Sequence, residues 1–205
     1  MAARRADESV AAPRHAGHST RGGRSTSTID KILVATIRLL REQGHAGMSM
    51  LEVSEAAGVA RGTLYRYFTD KSALMDAVTA RLGDDFERRL LEATSPYSEP
   101  ESRLKALLDF MDSYMDGRQA EHFMDNEPEF LRRFQRSNFD RFVCHTRKAL
   151  DPVFDSWDRR RKAPIDRQLA AEYVIRFNLS DVLVPAGTRR KQLIRSLLGA
   201  LEGLK

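Results

Sequence analysis

The sequence predicts an all-α protein, and three features carry that prediction. Apolar residues recur at helical spacing in one segment after another beyond residue 27, and no stretch of useful length alternates as a strand does. Glycine (12) and proline (7) are too sparse to punctuate many short strands, and several of them fall between the periodic segments. Charged residues make up 31% of the chain against 41% hydrophobic and 8% aromatic, a balance that suits helices with one solvated face.

The elements follow in order. Residues 1–27 are rich in Arg, Ser, Thr, Gly and Ala and hold almost nothing large and apolar, so they are read as a disordered arm. From Ser27 or Thr28 a helix begins, with Ile29, Leu33, Ile37 and Leu40 on one face and Gly44 as its left-handed stop. A short helix runs from about Met50 to Ala57, with Ser49 as N-cap and Glu52 at the capping-box position. Gly58 breaks it, and a third short helix covers Arg61 to Tyr67. Asp70 then caps a long helix carrying Leu74, Val78, Leu82, Phe86 and Leu90 on one side. After Thr94 the run SPYSEPES marks a loop, and helical spacing returns over 101–116, 127–136, 138–161, 166–183 and 188–202. Pro152 is expected to kink or split the longest of these, while Pro164 and Pro185 with Gly187 mark boundaries. The resulting division is an arm (1–27), a three-helix N-terminal domain (28–73) and a larger helical domain (74–205).

Composition narrows the function classes. No window approaches the roughly 18 apolar residues of a membrane span, and the opening MAARRADESV lacks an apolar signal core. Cys144 is the single cysteine, which excludes an intrachain disulfide and a multi-thiolate metal site. A cytoplasmic protein without metal or cofactor is the expectation. Catalysis finds no constellation. Cys144 and His145 are adjacent, so on a helix they point about 100° apart. His15 and His18 lie in the arm, and His45, His122 and His145 show no ligand spacing. Glu121, Asp125, Glu127 and Glu129 read as a solvated acidic face, with a cation site as the alternative. Residues 1–82 hold 12 Lys and Arg against 8 Asp and Glu, whereas 83–205 hold 22 against 21. Excess positive charge therefore collects at the N-terminal end, where it favours a polyanion or simply solubility. The arm's Arg4, Arg5, Arg14, Arg21 and Arg24 are either phosphate contacts or a solvated tail.

The segment SMLEVSEAAGVARGTLYRYFTDKSAL, residues 49–74, is the most informative. Two short helices joined at Ala57-Gly58-Val59 have the length and turn glycine of a helix-turn-helix, whose second helix lies in the major groove of DNA. Val53, Val59, Leu64 and Phe68 would form the small core that sets the angle between them. Arg61, Thr63, Tyr65, Arg66 and Tyr67 would then face outward: Arg reads guanine edges, Thr meets a thymine methyl or a phosphate, and Tyr hydroxyls donate to phosphates. Lys71 and the start of the next helix would jointly hold a phosphate. For single residues, packing (Tyr65) or solvation (Lys71) is the alternative.

AAGVARGTLYRYFTDKSALMDAV resembles the signature of the tetracycline-repressor (TetR) family of regulators, and the likeness covers roughly residues 28–80. The resemblance implies DNA contacts at Ser49, Arg61, Gly62, Thr63, Tyr65, Arg66, Tyr67 and Lys71. It also implies a homodimer whose last two helices form a four-helix bundle, a palindromic operator, and release of that operator when a small effector enters the C-terminal domain. Two departures stand out. Ala60 occupies a position where the family usually has Ser or Thr, so the third helix lacks a side-chain cap. Val53-Ser54 replaces the usual Ile-Ala and puts a hydroxyl near the packing between helices.

In the larger domain, residues 169–183 and 193–204 are apolar over more than one face, as helices are when buried on both sides. One side suits the chain's own core and the other a second copy; a wholly intrachain core is the alternative. Aromatic and thioether side chains concentrate between residues 110 and 157, including Met115, Phe123, Met124, Phe130, Phe134 and Phe139. Phe110, Met111, Tyr114, Phe142, Trp157 and Phe177 are the candidate lining for a small hydrophobic effector, with plain core packing as the alternative. The expectation is thus a ligand-released repressor on double-stranded DNA. A ligand-independent DNA-binding or architectural protein is the nearer alternative, an unrecognised enzyme the more distant one.

Overall fold

The computed structural model describes residues 20–114, 128–184 and 187–203. Among these residues there are eight α-helices, one 3-10 turn and no strand. α1 (Thr20–Gly47), α2 (Met50–Ala56) and α3 (Arg61–Tyr67) form the N-terminal head; α4 (Lys71–Thr94) leaves it. α5 (Pro100–Tyr114), α6 (Pro128–Arg161), α7 (Arg167–Leu183) and, after the 3-10 turn Gly187–Arg189, α8 (Arg190–Gly203) build the body.

Two apolar clusters organise these helices. The head cluster contains Ile32, Leu33, Leu40, Met48, Val53, Leu64 and Phe68, and it draws Leu74, Met75 and Val78 from α4 and Phe130 from α6. The body cluster contains Phe86 and Leu90 of α4, with Leu107, Phe110, Phe142, Phe154, Val174 and Leu198 among others. α4 and α6 therefore each span both clusters. At 1.5 Å per residue, α4 is about 36 Å long and α6 about 51 Å.

The two long helices meet through polar contacts as well as apolar ones. Buried Asn138 donates from Nδ2 to the Thr79 carbonyl at 3.2 Å and to the Phe134 carbonyl at 3.1 Å. Gly83 lies against it, so close that a Cβ there would stand 2.1 Å from Asn138 Oδ1. Arg133 reaches Asp76 at 3.3 Å, Arg141 reaches Asp84 at 2.7 Å and Glu87 at 3.2 Å, and His145 reaches Glu87 at 3.0 Å. These pairs run along one seam of α4 and α6.

Three expectations need correction. α1 starts at Thr20, so residues 20–27 are helical rather than part of an arm. A helix whose nucleus is fixed by packed Ile32, Leu33 and Leu40 adds one hydrogen bond per residue outward, and a weakly helical flank follows it. Residues 1–19 lie outside the described residues. Second, the segments 127–136 and 138–161 are one helix, because the Asn138 side chain bonds within the helix and to α4 instead of ending the turn. Third, Pro152 does not split α6, which runs through it. The proline removes one helical N–H, and near it Arg103 of α5 donates from Nε to the Ala149 carbonyl at 2.5 Å.

The end of α6 is held to α7 by Arg167, which bridges Asp151 (3.4 Å), Asp155 (2.7 Å) and Asp158 (2.6 Å). Its guanidinium holds the Asp158 carboxyl below the usual carboxylate range. Arg190, at the start of α8, is buried. It ion-pairs with Asp181 at 3.1 Å and donates to Asn178 Oδ1, tying α8 to α7. No helix among the described residues is long and apolar enough to cross a membrane.

Candidate nucleic-acid interface

The head is built from local sequence signals upward. Gly44 takes φ +75°, which ends the regular part of α1 in the left-handed conformation that suits glycine. Ser49 caps α2: its Oγ accepts from Glu52 N at 3.2 Å, while its N–H donates to Glu52 Oε2 at 2.7 Å. The Ser49 hydroxyl also donates to that carboxylate at 2.7 Å. This hydroxyl, and then the backbone N–H, hold the Glu52 carboxyl below its ordinary value. Gly58 turns the chain with φ +64°, and its N–H returns to the Glu55 carbonyl at 3.0 Å. Val53 and Leu64 are fully buried and Phe68 nearly so, with Val59 packed against them, which is the small core expected between α2 and α3. Ser54 is buried, and its hydroxyl donates to the Leu51 carbonyl at 2.8 Å, so the polar group that replaces the usual alanine is satisfied locally. Ala60 makes no side-chain cap at the start of α3.

With that core behind it, α3 presents a polar face. Arg61, Gly62, Tyr65 and Arg66 are exposed, Thr63 and Tyr67 are half-buried, and Ser49 is exposed at the start of α2. Each arginine lies over a tyrosine: Arg61 is 5.5 Å from the Tyr65 ring centre and Arg66 is 5.1 Å from that of Tyr67. These stacks pre-order two long cations on the outer surface of a helix, with phenol hydroxyls beside them. Such a surface can offer bidentate donors to base edges and hydroxyls to phosphates. Lys71 is placed differently. It is half-buried, and its ammonium donates to the Met48 carbonyl at 2.6 Å and to the His45 carbonyl. Seven of the eight expected contact residues therefore reach the surface of α2 and α3, and the eighth binds protein carbonyls.

The expected effector lining also comes together, as part of a packed core. Phe86 is its hub, with ring centres of Phe110 at 5.4 Å, Tyr114 at 5.1 Å and Phe142 at 4.3 Å. Met111 is buried in the same cluster, Phe177 packs on it from α7, and Trp157 joins through Phe154 at 5.7 Å. Burial pushes the Tyr114 hydroxyl up to about 12, and it donates to the Leu82 carbonyl at 3.4 Å. Phe86 was visible in the sequence only as one apolar position of α4. Phe130, expected among the body's aromatics, packs in the head. Met115, Phe123, Met124, His122 and the acidic positions 121, 125 and 127 lie outside the described residues.

Residues 32–78 match the family model for bacterial regulatory proteins of the tetR family. An uncharacterised HTH-type transcriptional regulator from Mycobacterium tuberculosis is 36% identical over 81 residues, which is 40% of this chain and only 40% of that protein's length. The HTH-type transcriptional repressor KstR of Mycolicibacterium smegmatis is 43% identical over 58 residues, covering 28% of this chain and 27% of that one. Over the whole fold, the chain resembles the transcriptional regulator FadR from Bacillus subtilis, solved in complex with stearoyl-CoA. The TM-score is 0.57 at 16% identity, with 86% of this chain and 99% of that one covered. The head, with its capped α2, its Gly58 turn and its arginine-bearing α3, carries the conserved region of the tetR family of bacterial regulatory proteins over residues 32–78, and the chain spans about two fifths of the length of the first curated regulators it matches.

Proposed function

We propose that this protein is a cytoplasmic, ligand-released repressor that binds a palindromic operator as a homodimer. The observation that carries the reading is that α4 belongs to both apolar clusters: its first turns pack the head and its later turns the body. A ligand that rearranges the body around Phe86 must act on the helix that carries α3. Ser49, Arg61, Gly62, Thr63, Tyr65, Arg66 and Tyr67 form the DNA surface, with Arg61 and Arg66 reading bases and the hydroxyls setting register on the backbone. The similarity of the head to a protein named as a repressor supports the direction of control. Phe110, Met111, Tyr114, Phe142, Trp157 and Phe177 supply the hydrophobic contacts to the effector, and a protein of the same fold holds stearoyl-CoA.

A second reading is a constitutive DNA-binding protein. The direct packing of Phe86 against Phe142, with centres 4.3 Å apart, favours it, because those rings already fill the space between them. The test is operator affinity by fluorescence anisotropy, on a duplex selected by the protein from random sequence, with and without long-chain acyl-CoA and a panel of hydrophobic small molecules. Ligand that binds the free protein and weakens operator binding supports release. Ligand that binds while operator affinity stays fixed leaves the constitutive reading in its place.

A further inference from the structure

Head and body share a cleft of about 300 Å³ between the end of α1, the first turns of α4 and the start of α6. Its floor is apolar: Met75 is 2% and Phe130 7% exposed, and both belong to the head cluster. Its rim carries three basic side chains, His45, Lys71 and Arg133. The acidic residue there, Glu129, is already engaged. Its oxygens accept from Arg132 at 2.7 and 2.9 Å, which holds its carboxyl below the usual carboxylate range. Arg133 is held more loosely. It donates to Ser72 Oγ at 3.4 Å and to Asp76 at 3.3 Å, longer than the roughly 2.8 Å usual for a charged pair. Lys71 donates to the Met48 carbonyl at 2.6 Å and to the His45 carbonyl. An ammonium has a third N–H, which remains for an anion. At ~30 Å³ per water molecule the space suits about ten non-hydrogen atoms. That is enough for one ring and one acid group and far too little for an acyl-CoA.

We propose that this cleft is a second ligand site, separate from the aromatic lining of the body, and that it takes a small aromatic carboxylate. The ring lies on the Met75 thioether and the Phe130 ring, and the carboxylate bridges Arg133 and Lys71 with short charge-assisted bonds. Occupancy opposes DNA through charge. Lys71 stands just beyond the end of α3, so an anion held there takes up a cation that phosphates can otherwise meet and repels the phosphates around α3. Binding to the cleft stands by itself, whereas its effect on DNA rests on the DNA-binding part of the function proposed above.

The test uses the full chain, with benzoate as the probe and benzamide as its uncharged match, at fixed ionic strength. Carbon-13 methyl labels on methionine report the location, since Met75 floors this cleft and Met111 lies in the body cluster. Benzoate should shift the Met75 resonance, assigned by its loss in Met75→Leu, in a saturable way and leave that of Met111 in place. Benzamide should bind at least about tenfold more weakly, and Arg133→Gln should lose about tenfold in benzoate affinity, as for a charged hydrogen bond. The benzamide comparison needs no variant and carries the test if circular dichroism shows Arg133→Gln to be unfolded. No saturable shift at Met75, a shift at Met111 alone, equal binding of benzamide, or full benzoate affinity in a folded Arg133→Gln would each overturn the site. On a duplex that the wild type selects from random sequence, saturating benzoate should weaken binding by about fivefold or more, and benzamide should not. Unchanged DNA affinity with Met75 occupied would overturn the opposition to DNA. A salt slope lower by about 0.9 in Arg133→Gln would make Arg133 a phosphate contact and the cleft part of the DNA surface, against the proposal. A wild type that selects no duplex would sink the DNA-binding reading instead, and the Met75 shift would still decide the site.

Discussion

At Gly83 the absence of a single carbon decides how closely α4 and α6 approach. A Cβ would stand 2.1 Å from Asn138 Oδ1 and 2.9 Å from its Cγ. Asn138 cannot yield cheaply, since it is 2% exposed and its Nδ2 holds the carbonyls of Thr79 and Phe134. Gly83→Ala gains up to about 1 kcal/mol of helix propensity but meets an overpacking cost of about 1–3 kcal/mol, so the net effect is destabilisation, read as a lower Tm. A variant as stable as the wild type would mean that the helices part without cost. On the same seam, burial lowers the His145 pKa below its ordinary value despite Glu87 at 3.0 Å. The unfolded chain then takes up a proton on this imidazole at higher pH than the folded one. Its contribution is full above the ordinary histidine value near 6.5 and is lost as pH falls below it. His145→Gln should flatten the pH dependence of Tm between about pH 7 and 5; an unchanged profile would show that other groups govern it. Sequence made the Ser49 cap and Gly44 legible because both act within a few residues. It could not show that Lys71 and Arg190 turn inward, because their partners lie 12 or more positions away.

Elements whose ends are set locally were the most legible. α2, α3 and the start of α4 fall where the Ser49 cap, the Gly58 turn and the Asp70 cap place them. α1 and α6 run past their expected ends for different reasons: α1 extends from a packed nucleus into a poor flank, and α6 carries Asn138 because α4 engages it there, and runs on through Pro152. α3 offers a direct test of the local rule. Its N-cap, Ala60, has extended backbone at φ −64° and ψ 143° but offers no side-chain acceptor. Ala60→Ser should accept from an N–H of the first turn and raise stability by about 1 kcal/mol, measured by urea denaturation with an unchanged m value. An absent gain would show that water already serves those N–H groups. The base reading proposed above falls on the same helix. Arg61→Ala or Arg66→Ala should relax preference at one base pair by about 1–3 kcal/mol, while changes to the tyrosine and threonine hydroxyls should weaken all sequences alike. A selection experiment that returns the same motif from either arginine variant would mean that α3 does not read bases.

For the whole molecule, assembly comes before control. α7 buries Ala170, Ala171, Val174 and Ile175 in the body while Leu169 is 44% and Tyr173 42% exposed. An apolar pair left outside an already satisfied helix is the expected mark of a two-fold contact with a second copy. Leu169→Glu with Tyr173→Glu should leave the fold intact, since neither side chain is in the core, and should shift sedimentation from dimer to monomer. A wild type that is monomeric at micromolar concentration would remove the dimer and, with it, the palindrome. Given a dimer, control reduces to linkage. Two recognition helices can occupy successive major-groove faces only when they stand about 34 Å apart or a multiple of that. The seam from Asp76–Arg133 to Glu87–His145 ties the two helices that span head and body, so under the proposed release a ligand that shifts α6 against α4 would change that spacing. If ligand lowers operator affinity by a given factor, the operator must lower ligand affinity by the same factor, typically worth 1–3 kcal/mol. Calorimetric titration of ligand into the free dimer and into the dimer–operator complex should therefore differ by the ratio that anisotropy reports for DNA. Weakening the seam with Arg141→Ala should shrink both ratios together and leave ligand affinity for the free dimer nearly unchanged. Equal ligand affinities for the free and DNA-bound protein would remove ligand control, however tightly the ligand binds.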